Sequence, residues 1–155
     1  MFSLLLIALM SPIQSAAAPL AISSFTLEKT ESVGLLPASV VLNNRGTHPL
    51  RLWAPNNVEG MNALRFVFRS AQGKVVEYRP PVPPRAAGVA TAVVLEPRSK
   101  LRLPTSELSG CRKLPDLPPG VYEVTAVYKN ELADFAPVKG VWTGTIRSKP
   151  LQIRL

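Results

Sequence analysis

Leu117 to Asn130 read LPPGVYEVTAVYKN. Two prolines and a glycine make a hard turn. Beyond it, Tyr122, Val124, Ala126 and Tyr128 share one parity, and Glu123, Thr125 and Lys129 take the other. Side chains of an extended chain alternate between two faces, so this is a strand with one apolar face and a tyrosine at each end of it. Such a face has to be buried against a second layer.

The same grammar runs through the rest of the chain. Sixteen prolines and nine glycines separate short runs rich in Val, Leu and aromatic residues. No stretch keeps apolar residues at helical spacing over three turns, which excludes a helical body. Strands are predicted at Leu20–Lys29, Pro37–Asn44, Leu50–Pro55, Ala63–Arg69 and Val75–Arg79, with SAQGK closing a tight hairpin between the last two. Val89–Pro97 and Ser99–Leu103 give one or two more, bent at Pro97. RPPVPP, Arg79–Pro84, lacks four ladder donors and reads as a stiff extended connection. TSELSG, from Thr105, reads as a single helical turn. The C-terminal VWTGTIRSKPLQIRL reads as a final hairpin. Its inward parity shifts at Pro150, which implies a bulge or a change of sheet. The expected fold is all-β, a single antiparallel β-sandwich of about seven to nine strands.

The N-terminus reads differently. LLLIALM, Leu4–Met10, is an apolar run followed by Pro12 and small residues, the layout of a secretory signal peptide, although MFS supplies no Lys or Arg. Cleavage is expected after Ala17, leaving 18–155 as one exported domain, periplasmic or secreted, with no further apolar segment long enough to span a bilayer. The leader carries no charge, so the net charge of +8 belongs to the domain and favours anionic partners or simple solubility. One cysteine, Cys111, cannot staple a fold by itself, so the domain has to rest on its core. LSGC before and including Cys111 lies too deep in the chain for a lipid-attachment box.

LPPGVYEV resembles the turn into the sixth strand of immunoglobulin-like and fibronectin-type-III-like sandwiches. The resemblance implies a tyrosine corner, in which the Tyr122 hydroxyl bonds backbone a few residues upstream. It also implies that Val124 takes the place of a disulfide cysteine and that Tyr128 keeps its hydroxyl near solvent. LEPRSK (Leu95–Lys100) and GVWTGTIRSKPLQIRL are similar to the fifth-strand region and closing strand of such modules, which include small exported bacterial ones. Trp53 is the candidate core tryptophan, although it lies on the opposite parity to Leu50 and Leu52.

Chemistry is sparse. His48 is the single histidine, in the turn RGTHP, and no GxSxG accompanies it. His48, Met61 and Cys111 share no metal-ligand spacing, and HExxH, paired cysteines, EF-hand loops and phosphate loops do not occur. Glu28 with Glu31 and Glu131 with Asp134 lie in polar stretches. The expectation is therefore a non-enzymatic module with no catalytic residue, metal or cofactor. Two surfaces could carry binding. One is the loop KNELADFAPVKG (Lys129–Gly140) with Phe135 at its tip and Trp142 behind, for protein–protein contact of which proteinase inhibition is one form. The other is a basic sheet face of Arg98, Lys100 and Arg102, flanked by Arg65 and Arg69 on another strand, for an anionic envelope polymer. The basic strand has no interleaved aromatics, which disfavours nucleic acid.

Overall fold

The computed structural model describes residues 18–27, 38–79, 89–104 and 117–155. The leader 1–17, the proline-rich connection beyond Arg79, the helical turn from Thr105, Glu28, Glu31 and Cys111 lie outside the described residues.

The described chain is an antiparallel β-sandwich. One sheet runs β1 (Leu20–Leu27), β2 (Ala38–Asn44), β7 (Lys100–Pro104). The facing sheet runs β10 (Leu151–Arg154), β8 (Val121–Asn130), β4 (Leu64–Ser70), β5 (Val75–Tyr78), and β9 (Gly144–Arg147) also pairs with β8. β3 (Leu50–Trp53) and β6 (Ala92–Leu95) form a separate ribbon. A six-residue helix, α1 (Val58–Ala63), bridges β3 and β4. That makes ten strands, one more than the upper sequence expectation.

Alternation puts the core where the sequence placed it. Leu64, Phe66 and Phe68 of β4 and Tyr122, Val124, Ala126 and Tyr128 of β8 are buried against Phe25, Val40, Leu42 and Leu103 of the other sheet. Phe25 and Phe66 meet across the layers with ring centroids 5.9 Å apart. Each such ring contributes about 1.5–3 kcal/mol by leaving water.

β1 shows how register serves this core. Leu20 and Ile22 have even parity, whereas Phe25 and Leu27 have odd parity, yet all four are buried or packed against the core. The register slips between Ile22 and Ser24, so Ser23 is an extra residue and the parity change is absorbed there.

The C-terminal segment corrects the expected hairpin. β9 and β10 do not pair with each other; both lie along β8, with Arg147 opposite Val127 and Leu151 opposite Val124. Three residues, 148–150, stand against two of β8, a bulge at the predicted position. Pro150 cannot donate to a ladder. The Ser148 hydroxyl instead takes the Ala126 N–H at 3.0 Å, and Ser148 N donates to Ala126 O at 2.9 Å.

The tyrosine corner is present. Tyr122 is buried, and its hydroxyl donates to Pro118 O at 2.7 Å, just where the chain enters β8. Gly120 and Leu155 exchange both backbone bonds and carry the β10–β8 ladder to the end of the chain. Tyr122→Phe should cost about 1 kcal/mol, since the exposed turn lets Pro118 O find water. Urea unfolding should show a lower midpoint with an unchanged slope.

Tyr128 departs from expectation. It is 1% exposed, and burial pushes its phenol well above the ordinary range. Trp142 covers it, with ring centroids 6.1 Å apart. Its hydroxyl is therefore not near solvent.

Candidate binding loop and basic faces

Trp53 explains the loop. It points away from the main core, as its parity with Arg51 requires, yet is 1% exposed. It anchors a second, smaller core with Ala90, Val138 and Val141. The ribbon is thus covered on both faces: Leu52 and Leu95 pack into the sandwich, while Trp53 packs under the 131–141 loop. Sequence parity was right, and the second core behind it was not legible.

Polar contacts fix the loop backbone. Trp53 Nε1 donates to Leu132 O at 3.0 Å, and Arg51 Nη1 donates to Lys139 O at 2.7 Å. Asn130, buried at the end of β8, accepts from Leu132 N at 3.1 Å and donates to Leu132 O and Trp142 O. Asp134 Oδ1 takes Gly140 N at 2.7 Å, where φ of +67° suits glycine. Val141 N reaches Ala133 O at 2.8 Å. At the tip, Phe135 and Val138 exchange both backbone bonds, 2.9 and 2.7 Å, around a cis Ala136–Pro137 peptide. Lys129 and Glu131 pair at 2.7 Å at the foot, and the hydrogen bond from Lys129 holds the Glu131 carboxyl below its usual range.

On this frame Phe135 is 51% exposed and Leu132 is 41% exposed. Trp142 is half-buried. Its ring stacks on Tyr128 and lies over Gly144, where an added Cβ would come within 2.8 Å of it. Phe135 is therefore the projected side chain, and Trp142 belongs to the frame.

The basic residues divide differently from the sequence reading. Lys100 and Arg102 share the outer face of β7, and Arg102 Nε donates to Ser39 Oγ at 2.8 Å. Arg98 does not continue that row. It sits in the turn before β7 with φ of +63°, donating its N–H to Asn44 O at 2.8 Å. On the opposite sheet Arg65 and Arg69 face outward from β4, as expected. Arg65 pairs with Glu77 at 3.3 Å, and Arg79 joins the same carboxylate at 3.1 Å. The Arg79 hydrogen bond, then the Arg65 charge, hold the Glu77 carboxyl below its ordinary range.

His48 is exposed, and its Nδ1 lies 3.1 Å from Thr47 Oγ1. Among the described residues no three His, Cys, Asp or Glu side chains group as metal ligands, and no helix is long and apolar enough to cross a membrane.

No protein-family model matches the chain, and no curated protein matches it significantly. The functional reading rests on the geometry of its own residues.

Three buried asparagines escaped the sequence reading as site builders. Asn44, Asn57 and Asn130 each bond loop backbone from an interior position. In sequence they look like ordinary turn residues.

Proposed function

We propose that this chain is an exported, non-enzymatic module of the immunoglobulin-like kind that binds another protein through the 131–140 loop, with Phe135 at the centre of the contact. The strand orders support the module reading. β1-β2-β7 facing β9/β10-β8-β4-β5 corresponds to A-B-E facing G-F-C-C′ in such sandwiches, with Tyr122 at the corner entering F. The β3–β6 ribbon is then an added element that supports the loop.

One observation carries the binding reading. A phenylalanine is half exposed at the tip of a loop whose backbone is pinned on both sides by Arg51 and by the buried Trp53 and Asn130. Leaving that ring in water is unfavourable, and holding its loop rigid before binding lowers the ordering cost on association. Proteinase inhibition is the narrower form, since a rigid projecting aromatic suits the hydrophobic specificity slot of chymotrypsin-like enzymes.

The test is a differential capture. Immobilised full chain and its Phe135→Ser variant are compared with crosslinking against the source's exported proteins, and the eluted partner is then titrated in pure form. Phe135→Ser should weaken that partner about tenfold or more, as loss of a central aromatic anchor does, with the melting temperature unchanged. Equal affinity of the two forms would overturn the reading. A chymotrypsin assay separates the inhibitor form: inhibition lost in Phe135→Ser supports it, and no inhibition by the parent chain rejects it while leaving other protein partners to the capture.

A further inference from the structure

The outer face of the β8 sheet carries a groove that is not part of the loop site. Val67, Arg69, Glu123, Thr125, Arg147 and Ser148 line a depression of about 440 Å³. Its position follows from register. Arg147 lies beside Val127, Val67 beside Thr125, and Arg69 beside Glu123, so the two arginines stand at diagonal corners with Val67 and Thr125 between them. Four residues along β8 and two strand spacings across it separate their backbones, roughly 14 Å by 10 Å. The 148–150 bulge interrupts the row beside Thr125 and turns the Ser148 side chain onto main chain, which leaves the middle of the groove open.

The charges here differ from those of the neighbouring arginines. Arg65 and Arg79 share Glu77. The side chains of Arg69 and Arg147 form no ion pair or hydrogen bond among the described residues, although Glu123 is the direct cross-strand neighbour of Arg69. The Thr125 hydroxyl and the Glu123 carboxylate likewise have no side-chain partner there. The groove therefore presents two free guanidinium groups at its diagonal corners, a hydroxyl, a hydrogen-bond-accepting carboxylate and one apolar side chain, Val67.

We propose that this groove binds an acidic polysaccharide, with carboxylate or sulfate groups of sugars separated along the chain on Arg69 and Arg147 and sugar hydroxyls on Thr125 and Glu123. Guanidinium forks match such oxyanions. Glu123 is what selects the class: a carboxylate repels a bare polyanion but accepts from sugar hydroxyls. No aromatic side chain of the described residues lies on this face, so the stacking that single-stranded nucleic acid uses is missing. The occupant lies across a sheet face, whereas a peptide strand would add to an edge.

The test uses the full chain and short oligogalacturonate at low ionic strength, read by titration calorimetry, with polyglutamate and oligothymidylate as comparison probes. Arg69→Gln with Arg147→Gln should raise the dissociation constant about tenfold or more, and Lys100→Gln with Arg102→Gln less than about twofold. Thr125→Val should weaken binding without changing charge. Added salt should weaken binding of the parent chain, since ions screen exposed charges. Equal losses in the two double variants would overturn the site in favour of diffuse charge. Polyglutamate or oligothymidylate binding as tightly as oligogalacturonate would overturn the class, and no binding by the parent chain would overturn both. All substituted side chains lie on outer sheet faces, and a thermal melt of each variant checks its folding. Phe135→Ser should leave the titration unchanged, which keeps this result separate from the loop proposal.

Discussion

Asn44→Ala should destabilise the domain by about 3 kcal/mol or more, a large share of the 5–15 kcal/mol that holds a domain of this size together. Asn44 ends β2 with its side chain fully buried. Its Nδ2 donates to His48 O at 2.8 Å and to Leu95 O at 2.9 Å, and its Oδ1 accepts from Gly46 N at 2.9 Å. Three elements are thereby tied at one point: β2, the 45–48 turn and the end of β6. Backbone bonds at the same residue add the β6–β7 turn, with Asn44 N to Ser99 O at 3.1 Å and Arg98 N to Asn44 O at 2.8 Å. Truncation removes three side-chain bonds and strands their partners, each at a cost of about 1–3 kcal/mol where water cannot enter. Urea unfolding measures the loss directly. A loss under about 1 kcal/mol would show that water replaces the amide.

Asn44→Asp sharpens the result. The acid keeps the shape but replaces the amide donor with a carboxylate oxygen that faces the His48 and Leu95 carbonyls. Burial and those carbonyls raise its folded pKa, so folding favours the protonated form. The variant should be nearest to the parent at pH below the unfolded carboxyl value and lose stability as pH rises through the raised one. Denaturation midpoints across acid to neutral pH check the sign.

The sequence shows why such a residue is hard to foresee. Asn43 and Asn44 stand together just ahead of Arg45 and Gly46, and both read as turn formers. Only the arrival of Leu95 O, fifty-one positions away, makes one of them a keystone. β4 and β8 were legible because their burial follows their own alternation. The β3–β6 ribbon was not, because which sheet a strand joins is decided by its distant partner. α1 was invisible for a different reason: six residues with a glycine in the middle carry no helical periodicity, and tertiary contact alone makes them a helix.

The candidate sites divide in the same way. Phe135 was legible as a loop residue, but its exposure was not, because only the packing of Trp53, Val138 and Val141 beneath the loop decides which ring turns inward. The groove between Arg69 and Arg147 was not, since it exists only where β4, β8 and β9 are laid side by side. Lys100 and Arg102 kept their shared face, but Arg98 lost it to a positive φ that alternation does not reveal.

Gly60→Ala is the second large effect, and its sign is diagnostic. In an exposed helix interior, alanine for glycine stabilises by about 1 kcal/mol. Here the helix is buried against the end of β3. A Cβ on Gly60 would stand 2.1 Å from Ala54 O and 2.8 Å from Ala54 C, both main-chain atoms. Neither can yield cheaply, because Ala54 N is bonded to Thr91 O at 3.0 Å and Ala54 O accepts from Asn57 N at 3.1 Å. Nor can the helix simply back away. Asn57 caps it through Gly60 N at 2.8 Å and fastens it to Thr91 O at 2.7 Å. Overpacking against fixed backbone should outweigh the propensity gain and leave a net loss of about 3 kcal/mol. Asn62→Ala, on the exposed side of the same helix, should be neutral or slightly stabilising, which separates helix propensity from the close approach. The consequence reaches the binding loop. Displacing α1 moves the end of β3, and β3 supplies both Trp53 and Arg51 to the loop frame. Gly60→Ala should therefore loosen the 131–140 loop before the sandwich unfolds. Hydrogen exchange should show early loss of protection at Val138 and Val141 while Phe66 and Val124 stay protected. Uniform loss across all four amides would mean that ribbon, loop and sandwich open as one unit.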